Sequence, residues 1–489
     1  MNVLDSELNI VKSDSAVPKE VQDELRAAVK VLEDVPDRLK DWHPGSDDLV
    51  LDLVHPSLFP VVWGLTRALE EGTVPLEDCI KYTGKGAKVA EHIPQPAGDR
   101  RWDAPELWSS HQWLPAEVGF GADGAVKITS YINNLHPVKH KALYSVLERI
   151  AAATLRVWDD SLSGFADRRR FLIAATSDND YELPPGLKYR IPGREGPKAW
   201  IDPATYDGGG LDDDGDDDND ANDDWEDDFY EWKLEHRILT YPEPREYKLQ
   251  AELQSGDRVA LREQFPNGVQ VIFKLANIHL TPEKPSYAGG SWHVEGTMNE
   301  MIVASAIYYY DQDNITDSFL AFRQAVNHED LTMIPDQNEH KSLEAYLGVE
   351  QDGPAVQDLG QVLTREGRLL AFPNCVQHQV QPFSLQDATR PGHRKILAMF
   401  LVNPQRPILS SAHVPPQRRD WWAEEVRANG GLDKLPAEIF DLAVDMVDEF
   451  PISWEKALEI RKELMDERGT LNTSLTEYIQ AVSLQSRAR

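Results

Sequence analysis

Two histidines, one glutamate and a late arginine are the residues of this chain whose types and spacing suit metal chemistry. His293 and Glu295 are two positions apart, and His378 and Arg394 follow later in the chain. Residues i and i+2 of a β-strand point to the same face, so His293 and Glu295 can bind one metal ion together. Two imidazoles and one carboxylate on one face of an octahedral ion leave three positions open. This arrangement suits Fe(II) that must bind a co-substrate and O2.

Arg394 suits the far end of a keto-acid co-substrate. 2-Oxoglutarate chelates a metal at one end and presents a second carboxylate at the other, and a guanidinium matches that carboxylate with two parallel hydrogen bonds. Arg390 is a rival for this role. We favour Arg394 because it directly precedes the apolar run 395–402 and should point inward, whereas Arg390 lies among turn-forming residues.

The flanking sequence separates His293 from a second His-acid pair, His328-Glu329-Asp330. The chain has 14 histidines and is rich in acidic residues, so such pairs are expected by chance. His293 lies between the strand-like apolar runs 269–275 and 301–310. His328 lies in polar, irregular sequence, which predicts a solvated loop. The local context therefore favours His293 as the ligand.

The segments around His378 and Arg394 carry a recognisable order of motifs. Residues 368–373 are strand-like and enter a turn, residues 378–382 form a short strand, and residues 395–402 form a return strand. The order Gly-Arg-x-x-x-Phe-Pro, His-x-Val-x-Pro and Gly-x-Arg closely resembles part of the prolyl-hydroxylase-like branch of the Fe(II)/2-oxoglutarate oxygenases. The resembling segments are those that supply the distal metal ligand and bind 2-oxoglutarate.

More narrowly, the chain resembles the largely fungal family catalogued as domain of unknown function 4246. The resemblance lies in residues 130–137, 275–282, 290–322 and 367–404. It implies a double-stranded β-helix, the jelly-roll fold of the cupins, and it implies Fe(II), 2-oxoglutarate and O2 as cofactors. An oxygenase of this kind converts 2-oxoglutarate to succinate and CO2 and usually hydroxylates its substrate. The family resemblance does not bring a known substrate.

The superfamily's ligands map onto this sequence residue by residue. The proximal histidine falls on His293, the carboxylate on Glu295, the distal histidine on His378 and the co-substrate arginine on Arg394. Two features depart from the superfamily pattern. The carboxylate is a glutamate where aspartate is the norm, and the interval from His378 to Arg394 is longer than usual, with residues 384–391 predicted to form an extended hairpin tip.

Three further residues are candidates for contact with the co-substrate. Tyr308 and Tyr310 share one face of the strand after the metal pair, so one of them is expected either to donate its hydroxyl to 2-oxoglutarate or to pack in the barrel. Asn299 is expected either to orient the co-substrate or a ligand from behind, or to form a turn.

At 489 residues the chain exceeds what one core usually supports, so we expect a catalytic core with substantial additions and an α+β class. The expected organisation is a mainly helical N-terminal region (1–125), helical support of the core (126–206), an acidic disordered insertion (207–231), the double-stranded β-helix core (232–410) and a helical C-terminal region (411–489). The C-terminal helices are expected to pack on the core or on a second subunit, which leaves a homo-oligomer open.

Net charge and composition indicate which kinds of binding partner the protein can have. The net charge of −33 argues against binding nucleic acid through its phosphates. Much of that charge lies in residues 207–231, which we expect either to be a solvated loop or to guide a basic protein or peptide substrate; a small-molecule substrate is the other option. Two cysteines exclude a disulfide scaffold. No signal peptide and no membrane span are predicted, which favours a cytoplasmic or nuclear location.

Two other functions use the same residues. A cupin-like metalloenzyme that does not use 2-oxoglutarate could share His293, Glu295 and His378 but would not need Arg394. A non-catalytic binding protein with a degenerate barrel would tolerate loss of the metal.

Overall fold

The structure is a computed structural model, and its described residues are 2–5, 9–91, 108–121, 124–164, 181–203, 205–206, 224–239, 246, 248, 252–253, 258–326, 341–350, 353–429 and 434–481. They fall into two compact units. The first unit draws on residues 1–169, 248–324 and 358–479, and the second on residues 170–247, 325–357 and 480–489.

The strands are, in chain order, β1 (Asn2–Asp5), β2 (Asn9–Ser13), β3 (Asp41–Trp42), β4 (Val50–Val54), β5 (Val61–Val62), β6 (Arg67–Ala68), β7 (Ala87–Lys88), β8 (His111–Gln112), β9 (Ala116–Phe120), β10 (Val126–Ile128), β11 (Tyr181–Glu182), β12 (Tyr189–Arg190), β13 (Trp200–Ile201), β14 (Ile238–Leu239), β15 (Val269–Leu280), β16 (Ser286–Tyr287), β17 (Ile302–Asp313), β18 (Ser318–Ala325), β19 (Val356–Thr364), β20 (Leu369–Pro373), β21 (Gln377–Val380), β22 (Phe383–Ser384) and β23 (Gly392–Val402). The α-helices are α1 (Lys19–Glu33), α2 (Lys141–Leu162), α3 (Asp224–His236), α4 (Leu261–Gln264), α5 (Lys341–Leu347), α6 (Arg419–Asn429), α7 (Ala437–Asp445) and α8 (Trp454–Ala481).

A large antiparallel sheet forms the centre of the first unit. Its strand order is β1-β2-β20-β17-β23-β15-β4-β3. In addition, β9 pairs with the first residues of β15, 269–271, and β10 pairs with β9. The two long central pairs, β17 with β23 and β15 with β23, are in register over most of their lengths. A smaller sheet, β19-β18-β21, carries the strand that contains His378.

Two amphipathic helices cover one face of the large sheet. Helix α1 buries Val21, Leu25 and Val29, and helix α2 buries residues such as Leu147 and Ile150. Their apolar positions recur at steps of three and four, so one side of each helix is removed from water. These side chains share one hydrophobic cluster with the residues of β15, β17 and β23 that point toward the helices. The large sheet is therefore buried on this face.

The predicted mixture of helices around an antiparallel sheet is confirmed, whereas the double-stranded β-helix remains a prediction. Residues 1–125 differ from the mainly helical region that we expected. Only α1 is an α-helix among the described residues of that range, and short strands β1 to β9 make up most of its regular structure. Their apolar runs, such as Val50–Val54, are long enough to extend the sheet but too short for helices. Residues 126–206 contain the expected long helix α2, and residues 411–489 contain α6, α7 and α8.

The second unit has a small aromatic cluster of its own. Helix α3 contributes Trp225 and Phe229, which pack on Tyr189 and Ile201 of the hairpin β12-β13. Helix α3 begins at Asp224, so the end of the expected disordered insertion (207–231) is helical, and residues 207–223 lie outside the described residues. No helix in the described ranges has the length and apolar character needed to cross a membrane.

Candidate metal centre

His293, Glu295 and His378 meet at one point. His293 and His378 form an isolated antiparallel bridge, with main-chain N–O distances of 3.2 and 2.9 Å. Oε1 of Glu295 lies 3.7 Å from Nε2 of His293 and 3.4 Å from Nε2 of His378. One ligand atom from each residue lies within 4.8 Å of the others. The structure therefore brings together the three residues that the sequence selected from segments far apart in the chain.

Main-chain contacts fix the segment that carries His293 and Glu295. Asn374 accepts a hydrogen bond from the Glu295 N–H at 2.9 Å and donates one to the Glu295 carbonyl at 2.8 Å. Gly289 has φ +93°, and a Cβ at this position would lie 2.7 Å from the carbonyl oxygen of Val380. The next N–H, of Gly290, donates to that same oxygen at 2.9 Å. Only glycine fits this close approach without strain.

The hydrogen bonds of His293 leave the correct nitrogen for a metal. Nδ1 of His293 lies 2.8 Å from the carbonyl oxygen of Ser291, which can only accept, so Nδ1 carries the proton. Nε2, the nitrogen that faces Glu295, then has a free lone pair. For His378, Nε2 faces Glu295, and Nδ1 has no hydrogen-bond partner among the described residues. The donor set of two imidazoles and one carboxylate fits Fe(II).

The electrostatics of the three residues also suit a cation. Burial on its own would raise the pKa of Glu295, but hydrogen bonds and charge from the two histidines outweigh it and hold the pKa well below its usual value. Burial would lower the pKa of His293, yet the hydrogen bond and charge of Glu295 raise it. Burial lowers the pKa of His378. The carboxylate is thus kept ionised and one imidazole neutral, as metal binding requires.

Arg394 is buried in the interior and has no carboxylate partner among the residues that the structure describes. It is 2 % exposed, and its Nη1 donates one hydrogen bond, to the Ser318 hydroxyl at 3.3 Å. Its guanidinium also lies 4.7 Å from the centre of the Phe383 ring and 5.7 Å from that of Tyr309. Among the described residues no acid lies within 4.0 Å of it, and Nε has no hydrogen-bond partner. The rival Arg390 has a side chain that is 58 % exposed and pairs with Asp387.

The two predicted tyrosines do not reach this region. Tyr308 and Tyr310 belong to the face of β17 that packs against α1 and α2, and Tyr310 donates its hydroxyl to Oδ1 of Asn277 at 3.1 Å. The intervening Tyr309 points to the opposite face, toward Arg394. The three consecutive tyrosines are all buried, so the alternation of apolar and polar residues that shows strand orientation is missing here.

Asn299 is buried away from the metal ligands. Its Nδ2 donates to the His111 carbonyl at 2.9 Å, and its Oδ1 accepts from the Ser109 N–H at 3.2 Å and from the Thr297 hydroxyl at 2.7 Å. It therefore connects the segment before β8 to the loop that follows Glu295. Asn374 makes the direct contact to Glu295, and sequence reasoning missed it. Its position between the Phe-Pro turn and His378 was the available signal.

A cavity of about 810 Å³ joins these elements. The three residues of the candidate metal centre lie on its wall. Arg394, Lys274, His43 and His55 also line it. Most of the remaining wall is apolar, from residues that include Trp113, Val294, Met298, Met301, Leu471 and Leu475. A pocket of this size, with few polar groups in an apolar wall, is typical of small-molecule sites.

A family model extends over most of the chain. The family described as protein of unknown function (DUF4246) matches residues 1–425. The chain belongs to this family. The matched range includes all three residues of the candidate metal centre and Arg394. A comparison with proteins of curated function finds no match.

Solved structures with partial similarity include a dioxygenase and a protein complexed with 2-oxoglutarate. One is the Fe(II)/(alpha)ketoglutarate-dependent dioxygenase TqaL, with 14 % identity over 33 % of this chain and 53 % of that chain and a TM-score of 0.20. Another is EvdO2 from Micromonospora carbonacea var. aurantiaca complexed with 2-oxoglutarate, with 11 % identity over 27 % and 52 % and a TM-score of 0.15. IDO from Bacillus thuringiensis has 13 % identity over 28 % and 46 % and a TM-score of 0.17. The chain spans about half the length of these structures, and likeness at this level establishes neither fold nor activity.

The structure also contains a second His-Asp-His group that sequence reasoning did not identify. Ligand atoms of His43, Asp52 and His55 lie within 4.8 Å of one another. Nδ1 of His43 is 2.8 Å from Oδ2 of Asp52, and Nε2 of His55 is 3.9 Å from the same oxygen. The other sequence pair, His328-Glu329-Asp330, lies outside the described residues.

Proposed function

We propose that the protein is an Fe(II)- and 2-oxoglutarate-dependent oxygenase that hydroxylates its substrate. One observation carries this proposal. A three-residue ligand set suited to Fe(II) lies on the wall of the same cavity as Arg394, a fully buried arginine that has no carboxylate partner in the described part of the chain.

Arg394 is the group that favours a keto-acid co-substrate over other metal chemistry. Burial lowers the pKa of Arg394, since a guanidinium loses its hydration in the interior. A buried charge is normally paired, and the contacts of Arg394 within the described residues are with the Ser318 hydroxyl and aromatic side chains. A carboxylate supplied by a bound molecule would complete the missing pair with two parallel hydrogen bonds. A metalloenzyme without such a ligand would have no need for this charge.

The residues divide the work between binding and exclusion of water. His293, Glu295 and His378 would hold Fe(II), and Arg394 would orient 2-oxoglutarate through its far carboxylate. The bound iron and co-substrate would supply O2 activation and the oxidation of a substrate C–H bond. The apolar wall would keep water from the reacting groups and would strengthen the pairing of Arg394 with the carboxylate.

An anaerobic Fe(II) titration, with and without 2-oxoglutarate, tests the proposal without a known substrate. We expect the weak visible charge-transfer band of an Fe(II)–keto-acid chelate only when both are present. Arg394→Ala should weaken 2-oxoglutarate binding by at least ~100-fold, because removing one partner of a buried ion pair typically costs about 3–5 kcal/mol. Arg394→Lys should restore part of the affinity, since a lysine is a point charge rather than a fork.

Arg390→Ala is the matched control, because this arginine is exposed and belongs to the same hairpin segment. It should bind 2-oxoglutarate as the unmutated protein does. A loss of affinity in Arg390→Ala, with none in Arg394→Ala, would transfer the role to Arg390. If the unmutated protein bound Fe(II) but no 2-oxoglutarate, the oxygenase proposal would be wrong, and a metalloenzyme that does not use a keto acid would replace it.

A further inference from the structure

Lys274 is a second cation on the cavity wall. It lies on β15, on the same face as Ala276 and Ile278, which also line the cavity. In the register of β15 with β23, Lys274 pairs with Ala398, whereas Arg394 pairs with Ile278. The two positions are four residues apart along the strands, or about 13 Å at the rise of an extended chain. The two cations therefore face different parts of the cavity.

Lys274 has no direct partner in the part of the chain that the structure describes. No acid lies within 4.0 Å of its Nζ, and it makes no hydrogen bond there. Its positive charge helps to lower the pKa of Asp52 and also acts to lower that of His293. Asp52 is already engaged by the hydrogen bond from His43. Lys274 thus lines the same cavity as histidines of both groups, and its ammonium makes no hydrogen bond or ion pair within the described residues.

The other charges along the wall have partners, or in the case of Arg394 would gain one from the proposed co-substrate. Glu295 is the only carboxylate among the described residues of the wall, and it belongs to the metal ligands. Arg468 forms an ion pair with the buried Glu300. With a divalent metal and a doubly charged co-substrate in place, Arg394 and the co-substrate carboxylate would neutralise each other. Lys274 would still have no ion-pair partner within 4.0 Å among the described residues, although its charge reaches Asp52 at longer range. The rest of the wall offers mainly apolar contacts.

We infer that the primary substrate carries an acidic group, a carboxylate or phosphate, that binds Lys274, and an apolar body that packs on the cavity wall. This inference rests on the proposed function, because it takes the metal and Arg394 as occupied by iron and co-substrate. It differs from the basic substrate that the acidic segment 207–231 suggested. The cavity wall itself carries an excess of positive charge.

The test uses three probes with the same apolar body: 4-phenylbutyrate, 4-phenylbutanol and 4-phenylbutylamine. Binding is measured by calorimetry to the anaerobic protein saturated with Fe(II) and 2-oxoglutarate, so that Arg394 is already occupied. The acid should bind at least ~10-fold more tightly than the alcohol, since a hydrogen bond to a charged group contributes about 1.5–3 kcal/mol. The amine should bind most weakly. Lys274→Met should remove the preference for the acid, and Lys274→Arg should keep it.

Each result decides between the two proposals. Three results would overturn the inference and leave the oxygenase proposal unaffected. They are equal binding of acid and alcohol, binding of none of the probes, and a preference for the acid that remains in Lys274→Met. A fall of 2-oxoglutarate affinity in Lys274→Met equal to that in Arg394→Ala would make Lys274 part of the co-substrate site and overturn the inference too. If 2-oxoglutarate did not bind at all, but the protein with Fe(II) alone preferred the acid through Lys274, the oxygenase proposal would fail and the acidic ligand would stand.

Discussion

The protein contains two groups of the same composition, two histidines and one carboxylate, that border one cavity and differ in the placement of their protons. In the group His293, Glu295 and His378, the carbonyl of Ser291 accepts a hydrogen bond from Nδ1–H of His293, which leaves the lone pair of Nε2 free to coordinate. In the group His43, Asp52 and His55, Nδ1 of His55 instead accepts a hydrogen bond from the Ser57 N–H at 3.2 Å. Its proton must then be on Nε2, which faces Asp52.

Because of this difference, the two groups have different roles although their side chains are similarly close. His43 donates its Nδ1 proton to Asp52, so both histidines of the second group direct protons at the carboxylate. The side chain of Asp52 is fully buried, its Oδ2 accepts one hydrogen bond, from His43, and its Oδ1 has no hydrogen-bond partner among the described residues. The second partner of each imidazole therefore decides whether a His-carboxylate-His group can coordinate. Proximity of the three side chains does not decide it.

The largest expected effect is on metal binding. His293→Ala and His378→Ala should each weaken Fe(II) binding by more than ~100-fold, because even the loss of a ligand's hydrogen-bond partner commonly costs 10–100-fold in affinity. His43→Ala and His55→Ala should bind Fe(II) as the unmutated protein does. The measurement is anaerobic equilibrium dialysis with metal analysis, and we expect one equivalent per chain. A second equivalent that disappears in His55→Ala would show that the second group also binds metal.

A smaller effect is expected on stability at the second group. Burial alone would raise the pKa of Asp52, but its interaction with His55, the hydrogen bond from His43 and the charge of Lys274 outweigh burial and lower the pKa to about 2, against 3.8 ordinarily. The ionised carboxylate then stabilises the fold at pH values above 3.8, and this contribution disappears as the pH falls toward 2. Asp52→Asn should lower the free energy of unfolding by about 2 kcal/mol at pH 7, as the size of the pKa shift implies.

Urea unfolding of the metal-free protein at pH 7 and at decreasing pH measures this difference, with Asp48→Asn as the control. Asp48 is exposed and lies in the turn just before β4, so its variant should unfold as the unmutated protein does. The difference in the free energy of unfolding between Asp52→Asn and the unmutated protein should become smaller once the pH falls below 3.8. Unchanged stability of Asp52→Asn at pH 7 would mean that the carboxylate is not needed and that our account of the second group is wrong.

The two groups also differ in how far the sequence predicted them. His293 and Glu295 occupy alternate positions beside apolar strands, and the motifs around His378 and Arg394 have a recognisable order, so local pattern was sufficient. Asp52, by contrast, lies in the apolar strand β4, and the structure brings it to His43 through the hairpin of β3 and β4. Nothing in the spacing of residues 43, 52 and 55 distinguishes such a group from chance.

Strand orientation was the other limit of sequence reasoning. Helices α1 and α2 cover one face of β17, and a second hydrophobic cluster covers the other. Tyr308, Tyr309 and Tyr310 are therefore all buried. Alternation of polar and apolar residues shows which face points inward only when the other face meets water. The register of β17 with its neighbours, which a single sequence does not contain, placed Tyr309 rather than its neighbours beside Arg394.

The smallest expected effect is the pH dependence of Fe(II) affinity, which tests the proton placement at the first group directly. Burial would lower the pKa of His293, but Glu295 raises it above the ordinary 6.5, whereas burial lowers the pKa of His378. As the pH falls through the pKa of His293, a proton therefore competes with the metal for Nε2, and His378 remains neutral. Fe(II) affinity should fall about tenfold per pH unit below that pKa, the slope of a single proton. Anaerobic titrations between pH 8 and pH 6 measure the slope, and His55→Ala should give the same slope. A hundredfold fall per unit would require two protons and would show that His378 also becomes charged, whereas a flat profile would mean that His293 does not bind the metal.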